Sequence, residues 1–228
     1  MSTGNTPEAV IFDIGNVLIG WQPERFYDRL VGPETRRRLF ETVDLHAMNE
    51  RIDRGADFHA TVEETAAAHP EFAPLIRLWR ERWLELTGPV IRPSVALQRA
   101  LRAAGVPVFA LSNFGIGSFE IAESHYGFLA DFDRRFISGH LGVTKPDPRI
   151  YAVVEEESGL PPERLLFIDD RADNIAAARA RGWQALHFTD PAASPAALAE
   201  LLTGAGLVGP EVAAAALAAT GATGEESA

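Results

Sequence analysis

The second half of the sequence alternates short apolar runs with longer segments of helical periodicity, and this alternation limits the possible folds most strongly. The predicted strands cover residues 106–111, 135–138, 165–168 and 184–188, and the predicted helices cover 94–104, 118–125, 147–158, 174–181 and 196–202. One further apolar run, Ala9–Phe12, comes near the start of the chain. Strands that alternate with helices of this length favour a parallel sheet with helices on both faces.

A long helical stretch separates the first strand from the others. Prolines lie where the first turns of helices accept them, and apolar residues then recur at helical spacing. We therefore predict an α/β fold: a Rossmann-like parallel sheet, formed by residues 1–20 and 89–203, with an all-helical unit inserted at 21–88. Residues 204–228 are rich in Ala and Gly and are predicted to be a tail whose middle forms at most a short helix.

The composition excludes several classes of chemistry. The chain of 228 residues has no Cys, which excludes disulfides, Cys-bound zinc, iron–sulfur clusters and thiol catalysis. Its 32 Asp and Glu against 21 Lys and Arg give a formal charge of -11, which disfavours binding to nucleic acid or to an anionic membrane. No apolar run approaches the ~18 residues of a membrane span, and the polar start lacks the layout of a signal peptide. We expect a cytoplasmic monomer or homodimer.

Polar residues follow three of the predicted strands and occur in one further loop, at positions that a parallel sheet brings together. Taken singly, each has an ordinary structural explanation, since an Asp after a strand often forms a turn and a loop Lys is often solvated. Ligands of open parallel sheets bind beyond the carboxyl ends of the strands, so the coincidence of these positions predicts one site. The residues are Asp13, Ser112, Asn113, Asp169, Asp170 and, in the loop GVTKPDP, Lys145.

The types of residue in this cluster favour phosphoryl transfer. The three carboxylates cannot all ionise at close range without a counter-charge, and carboxylate oxygens favour a hard cation such as Mg²⁺. The hydroxyl of Ser112, the backbone amide of Asn113 and the ammonium of Lys145 supply donors for a tetrahedral oxyanion. An ionised carboxylate is a competent nucleophile toward phosphorus when a metal neutralises the charge it approaches. The cluster thus predicts a site that forms a covalent aspartyl-phosphate.

Four segments, FDIGNV, LSN, GVTKPDPRIY and FIDDRADNI, resemble in order and spacing the four motifs of the haloacid dehalogenase (HAD) superfamily of hydrolases. The helical insert is similar to the helical cap that members of this superfamily carry after the first strand. The resemblance covers nearly the whole chain up to about Leu202. It implies a hydrolase that uses Mg²⁺ and acts on a small phosphorylated molecule.

The resemblance also implies a role for each residue of the cluster. Asp13 is the nucleophile and a metal ligand, and the backbone carbonyl of Gly15 and the side chain of Asp170 complete the protein's metal ligands. Asp169 lies close by and is counted with the metal site. The implied phosphate-binding residues are Ser112, Asn113 and Lys145.

One position departs from the pattern of the superfamily. Its phosphatases usually carry a second Asp two positions after the nucleophile, as general acid and base, whereas this chain has Gly15 there. The carbonyl of Gly15 still reaches a metal, but positioned proton transfer, worth ~10²–10⁴ in rate, is lost. This D-x-G-N first motif resembles that of sugar-phosphate phosphatases, whose substrates need less protonation when the leaving group is an anomeric oxygen.

Three functions remain open from the sequence. The first is a Mg²⁺-dependent phosphatase acting on a small phosphorylated metabolite, such as a sugar phosphate. The second is a metal-independent 2-haloacid dehalogenase, because dehalogenases of the superfamily also lack the second Asp. Two further carboxylates, Asp169 and Asp170, count against it because they would repel a carboxylate substrate. The third is a non-catalytic protein that keeps the fold, against which the joint retention of Asp13, Lys145 and Asp170 argues.

The helical insert is predicted to select the substrate, since it faces the crevice. Trp21 and Asn49 are candidates for contact with the substrate. Arg51 either binds a second anionic group of the substrate or forms a surface salt bridge. His46 is a possible replacement for the missing acid. The lone G-x-G at Gly115–Gly117 is weak evidence for a dinucleotide site, because the third glycine is lacking.

Overall fold

The computed structural model describes residues 6–219 and contains a five-stranded parallel sheet. The strands in chain order are β1 (Ala9–Phe12), β2 (Ile19–Trp21), β3 (Thr87–Val90), β4 (Val108–Ser112), β5 (Arg134–Ile137), β6 (Leu165–Asp169) and β7 (Gln184–His187). The sheet has the order β5-β4-β1-β6-β7, and its neighbouring strands are all parallel. This confirms the predicted α/β fold.

Helices cover both faces of this sheet and form the insert. They are α1 (Pro23–Val31), α2 (Pro33–Val43), α3 (Leu45–Asp53), α4 (Phe58–Ala68), α5 (Ala73–Glu81), α6 (Arg92–Ala103), α7 (Ile116–His125), α8 (Ser138–Leu141), α9 (Pro148–Ser158), α10 (Ala172–Ala180), α11 (Ser194–Gly204) and α12 (Pro210–Leu217). Within residues 6–219, no helix is long and apolar enough to cross a lipid bilayer.

The central strand β1 is apolar along its whole length because both of its faces are covered. Successive residues of a strand point to opposite faces of the sheet. Val10 and Phe12 belong to the core on the side of α6, α11 and α12, while Ala9 and Ile11 belong to the core on the side of α9 and α10. All four are fully buried, as expected for a strand of a parallel sheet.

The register of the sheet brings three strand ends to the same level. Phe12, the last residue of β1, pairs with Ala110 of β4 on one side and with Ile168 of β6 on the other. The residues that follow these pairs therefore emerge side by side at the carboxyl edge of the sheet. This edge is where a ligand site is expected in an open parallel sheet.

The insert, which we call the cap, comprises α1 to α5 and is joined to the core through a small antiparallel sheet of β2 and β3. Its helices begin as the sequence suggests, with Pro at the start of α1 and α2 and with Asp57 accepting a 2.7 Å hydrogen bond from the backbone of Ala60 at the start of α4. The two short strands were not predicted, and the boundaries drawn at 20/21 and 88/89 fall within them. Strands of three and four residues that contain Gly or Pro carry too little periodicity to be recognised.

Glycines let the cap approach the core closely behind β4. A Cβ on Gly115 would overlap the side chain of Ile52, and one on Gly117 would lie 3.3 Å from Cβ of Phe58. Ile52 belongs to α3 and Phe58 begins α4, so both contacts join cap and core. The G-x-G pattern of the sequence thus has a packing explanation.

The Ala-rich segment near the C-terminus contributes to the packed core. Helix α12 packs against α6 and α11, and Val208, Ala213 and Ala216 are buried there. Small Ala side chains allow this close packing between helices. The part of the predicted tail from residue 220 to 228 lies outside the described residues.

Candidate active site

The carboxyl edge of the sheet holds the three predicted carboxylates. Asp13 follows β1, Asp169 ends β6, and Asp170 comes next in the chain. Each offers an oxygen atom that lies within 4.8 Å of the other two. Asp13 and Asp169 are buried and Asp170 is half-buried. The structure therefore brings these side chains together, as the sequence suggested.

Lys145 lies between two of these carboxylates. Its Nζ is 2.6 Å from Oδ2 of Asp169 and 3.0 Å from Oδ1 of Asp13, and it donates a 2.8 Å hydrogen bond to the carbonyl of Leu111. The residue is only 4% exposed. An ammonium has three N–H donors, and each has an acceptor here. Lys145 is thus a buried counter-charge and not a solvated loop cation.

The side chain of Asn113 fixes the backbone of Lys145. Its Oδ1 accepts a 2.8 Å hydrogen bond from the Lys145 N–H, and its Nδ2 donates a 3.0 Å hydrogen bond to the Lys145 carbonyl. Because the amide group is used in this way, the backbone N–H of Asn113 is the group it can offer to a phosphate. The sequence predicts the same group as a donor to the phosphate.

The carboxylate of Asp13 is held by one of its two oxygens. Oδ1 accepts hydrogen bonds of 2.7 Å from Ser112 Oγ and of 2.7 Å from the backbone N–H of Ile14, in addition to the contact with Lys145. Within residues 6–219, the described donors to this carboxylate all end on Oδ1. Oδ2 is therefore the oxygen available for reaction, and Ser112 orients the nucleophile.

Asp169 is occupied by the protein itself. Besides Lys145, its carboxylate accepts a 2.8 Å hydrogen bond from the backbone of Arg171 and hydrogen bonds of 3.0 and 3.1 Å from Asn174 Nδ2. These contacts suit a residue that orients Lys145. The carboxylate of Asp170 has fewer partners: its Oδ2 accepts one 2.9 Å hydrogen bond from Asn16 Nδ2.

The negative charge of this cluster is unfavourable because its carboxylates are buried and repel one another. Burial raises the pKa of Asp13 to about 7, with Lys145 opposing the shift and Asp169 and Asp170 adding to it. Burial likewise raises the pKa of Asp170. Burial lowers the pKa of Lys145, but Asp13 and Asp169 outweigh it, so the net shift is upward. One ammonium against three carboxylates leaves a negative charge that a divalent cation would neutralise.

The donor set fits a hard divalent cation. Carboxylate oxygens of Asp13 and Asp170, with the backbone carbonyl of Gly15 in the same wall of the cavity, are ligands of the kind that Mg²⁺ prefers. Mg²⁺ commonly keeps several waters and is held by one or two carboxylates together with substrate phosphate, so a small protein ligand set suffices.

A cavity of about 670 Å³ opens above the cluster, between cap and core. Trp21 and Asn49, the two candidates for contact with the substrate, both line it. Arg51 does not lie among the lining residues. It is exposed and its Nη2 is 2.6 Å from Oε2 of Glu64, which is the surface salt bridge that the sequence left as the alternative.

Aromatic rings form one side of this cavity. The ring centroids of Trp21 and Trp83 lie 6.1 Å apart, and those of Trp83 and Phe114 lie 5.4 Å apart. All three residues line the cavity, and Trp83 is also buried in the hydrophobic core. His46 also lines it, half-exposed, with its Nε2 2.9 Å from Oε1 of Glu24.

Sequence reasoning missed two asparagines that support the acidic cluster. Asn16 adopts a φ of 55°, in the left-handed region that Asn tolerates, and its Oδ1 accepts a 2.9 Å hydrogen bond from the backbone of Trp21. It therefore connects Asp170 to the start of the cap. Asn174, in α10, holds Asp169 through hydrogen bonds from its Nδ2. Both lie inside the quoted motifs FDIGNV and FIDDRADNI, so their place in these motifs was the available signal.

A family model described as haloacid dehalogenase-like hydrolase matches residues 7–182, more than half of the chain. This match agrees with the parallel sheet, with the cap after the first strand and with the cluster at the strand ends. The protein belongs to the haloacid dehalogenase-like hydrolases.

Several known proteins are similar to this chain. The chain is 29% identical over 206 residues to a sesquiterpene phosphatase of Aspergillus oryzae, covering 86% of this chain and 97% of the relative. It is 35% identical over 98 residues to an (S)-2-haloacid dehalogenase of Pseudomonas fluorescens, covering 43% of this chain and 42% of the relative. A HAD family enzyme of Bacteroides thetaiotaomicron shares the fold, with a TM-score of 0.64 and 21% identity over 79% of this chain and 93% of that chain.

Proposed function

We propose that this hydrolase is a Mg²⁺-dependent phosphatase that hydrolyses a small phosphorylated metabolite through an aspartyl-phosphate on Asp13. The observation that carries the proposal is the state of Asp13: Oδ1 is held by Ser112, Ile14 and Lys145, and Oδ2 is left for attack. A nucleophile fixed in this way needs no further reorganisation before it meets phosphorus.

The reaction has two steps on Asp13. Oδ2 attacks phosphorus, the bond from phosphorus to the ester oxygen breaks, and the alcohol leaves. Water then attacks phosphorus, the bond from phosphorus to Asp13 breaks, and orthophosphate leaves. The positive charge of Lys145 and the backbone N–H of Asn113 would stabilise the phosphate oxygens that gain charge, while Ser112 keeps its hydrogen bond to Asp13.

The metal site would be formed by Asp13, Asp170 and the carbonyl of Gly15. A bound Mg²⁺ would neutralise charge between the substrate phosphate and the carboxylates and polarise the phosphoryl group. Asp169 holds Lys145 between itself and Asp13, so that the ammonium stays at the site in either step.

The cavity wall suggests the kind of alcohol that leaves. Trp21, Trp83 and Phe114 offer flat apolar surface, and the exposed polar side chains of His46 and Glu50 belong to the same wall. Such a wall suits a sugar, whose ring carries both apolar faces and hydroxyls, and it also suits a less polar alcohol. The nearly full-length relative named as a sesquiterpene phosphatase supports the phosphatase class. Nucleic acid and membranes are not proposed as partners, because the net charge of the chain is acidic.

The dehalogenase remains the second candidate, on the observation that Gly15 replaces the second Asp and that dehalogenases match two fifths of the chain. The half-buried Asp170 argues against it. Its carboxylate faces the cluster, and without a cation it would repel the carboxylate of a 2-haloacid.

Removal of the metal tests the proposed function. With p-nitrophenyl phosphate and a panel of sugar phosphates, the protein is expected to release phosphate in Mg²⁺, to lose this activity in EDTA, and to regain it in excess Mg²⁺. Circular dichroism in EDTA is the control for folding. Full turnover in EDTA contradicts the metal requirement. Chloride release from 2-chloropropionate in EDTA supports the dehalogenase. The absence of both activities supports a non-catalytic protein.

A further inference from the structure

The proton that the leaving alcohol takes has no assigned source in this site. Gly15 occupies the position of the usual acid, and a Cβ added there would meet no atom within 4 Å. The space is open, so the proton donor of this enzyme must come from another part of the cavity wall. The inference below rests on the proposed phosphatase function.

Asp53, the last residue of α3, lines the same cavity as Asp13. Asn49 Nδ2 donates a 2.9 Å hydrogen bond to Oδ2 of Asp53, and Trp79 Nε1 donates one of 3.2 Å to Oδ1 of Asn49. The backbone of Gly115 gives the carboxyl a further hydrogen bond. These hydrogen-bond partners are all uncharged, so they fix the carboxyl in place without a direct counter-ion.

The part of the cap that carries Asp53 is fastened to the core. Ser138 Oγ donates a 2.6 Å hydrogen bond to the carbonyl of Asp53 and accepts one of 2.9 Å from the backbone of Phe114. A Cβ on Gly55 would lie 2.7 Å from the carbonyl oxygen of Gly139, so backbone meets backbone there. Asp53 is therefore held by the core segments that follow β4 and β5, the first of which comes directly after Ser112 and Asn113.

The other acid–base candidates of the cavity wall are already paired. The wall residues and their partners are His46–Glu24 (2.9 Å), Glu50–Arg54 (3.4 Å) and Asp147–Arg149 (2.8 Å). The hydrogen bonds from Arg149 lower the pKa of Asp147 to about 2, which makes it a poor proton donor at neutral pH. In the proposed function, Asp13 is already the nucleophile and Asp170 would hold the metal.

The environment of Asp53 favours a carboxyl that can both give and take a proton. Burial raises its pKa to about 7, and the hydrogen bond from Gly115 opposes this shift. Of the charged groups around it, Glu50 and Asp13 raise the pKa further, while Arg54 lowers it. A general acid and base works best when its pKa lies near the working pH.

We propose that Asp53 is the general acid and base of this hydrolase, in place of the Asp that Gly15 lacks. In the first step, Oδ2 of Asp13 bonds to phosphorus, the ester bond breaks, and the proton of Asp53 passes to the leaving oxygen. In the second step, water bonds to phosphorus, its proton passes to the Asp53 carboxylate, and the bond between phosphorus and Asp13 breaks. The products are the alcohol and orthophosphate, and Asp53 is protonated again.

The variant Asp53→Asn separates this role from others through the leaving group. For glycerol phosphate, a poor leaving group, kcat/KM is expected to fall by ~10²–10⁴. For p-nitrophenyl phosphate, kcat/KM changes little, because nitrophenolate leaves without a proton. The second step still lacks its base, so nitrophenol release shows a burst of one equivalent and then a slow phase. Glu71→Gln, an exposed cap carboxylate paired with Arg38, is the control and keeps both activities.

The pH dependence gives a second measurement. Asp53 must be protonated in the first step, so kcat/KM of the natural protein for glycerol phosphate is expected to fall as the pH rises past about 7. Asp53→Asn lacks this basic limb.

A third test restores an acid at the position of Gly15. The double variant Asp53→Asn with Gly15→Asp has room for the new side chain and is expected to recover much of the kcat/KM for glycerol phosphate. A structural defect would not be repaired in this way.

The outcomes separate the two proposals. Natural protein without phosphatase activity on the panel overturns the proposed function. Active natural protein with an unaltered Asp53→Asn variant overturns the role of Asp53 alone. An equal loss on both substrates, without rescue by Gly15→Asp, also overturns it.

Discussion

Replacing Asp13 with Asn is expected to abolish phosphatase activity, lowering kcat by at least about 10⁴, because nucleophiles that form covalent intermediates contribute on this scale. The amide keeps an oxygen that can accept the hydrogen bonds from Ser112 and Ile14. The fold should therefore survive, and the loss is chemical.

Two measurements accompany this change. Steady-state kinetics with p-nitrophenyl phosphate in Mg²⁺ give the rate, and thermal unfolding shows that the variant is folded. Asn16→Ala offers a matched comparison, since it removes a partner of Asp170 but leaves the nucleophile in place. A folded Asp13→Asn protein that turns over within tenfold of the natural one contradicts the assignment of the nucleophile.

Replacing Lys145 with Met is expected to remove both activity and a large part of the stability. The ammonium is the counter-charge of Asp13 and Asp169, and the change would leave these buried carboxylates unpaired. Removing one partner from a buried ion pair costs roughly 3–5 kcal/mol. We expect a loss of that size in the free energy of unfolding, measured by urea denaturation in EDTA.

A second variant distinguishes charge from packing in this result. Lys145→Met combined with Asp169→Asn removes one of the unpaired charges and should recover part of the stability. It should recover no activity, because the phosphate still lacks the ammonium. If Lys145→Met alone is as stable as the natural protein, the buried ion pair does not hold the site together.

The order of strands and helices could be predicted because each carries a strong local pattern. The strand Ala9–Phe12 was predicted with its observed bounds, and the other sheet strands were placed to within two residues at each end. Strands β2 and β3 were missed because their pairing depends on two segments that lie 65 or more residues apart in the chain. The packing of α12 was missed because an Ala-rich segment looks the same whether it is buried or free.

The residues of the acidic cluster could be predicted, but the contacts that hold each carboxylate could not. The resemblance named Asp170 as a metal ligand and placed Asp169 close by, but it did not show that Lys145 and Asn174 engage Asp169 or that Asn16 donates to Asp170. These contacts depend on how separate segments of the chain pack at the strand ends, which no local pattern of residues encodes. Asp53 was missed for a similar reason, since its place in the cavity arises from the contact between α3 and the loop after β4.

The most direct measurement is the covalent state of Asp13 during turnover. The protein is mixed with p-nitrophenyl phosphate and Mg²⁺, quenched in acid within the first turnovers, digested and analysed by peptide mass spectrometry. The account predicts one phosphoryl group on the peptide that contains Asp13, absent in EDTA and absent from Asp13→Asn. Turnover with the phosphoryl group on a different residue, or with no phosphorylated peptide at any quench time, would contradict it.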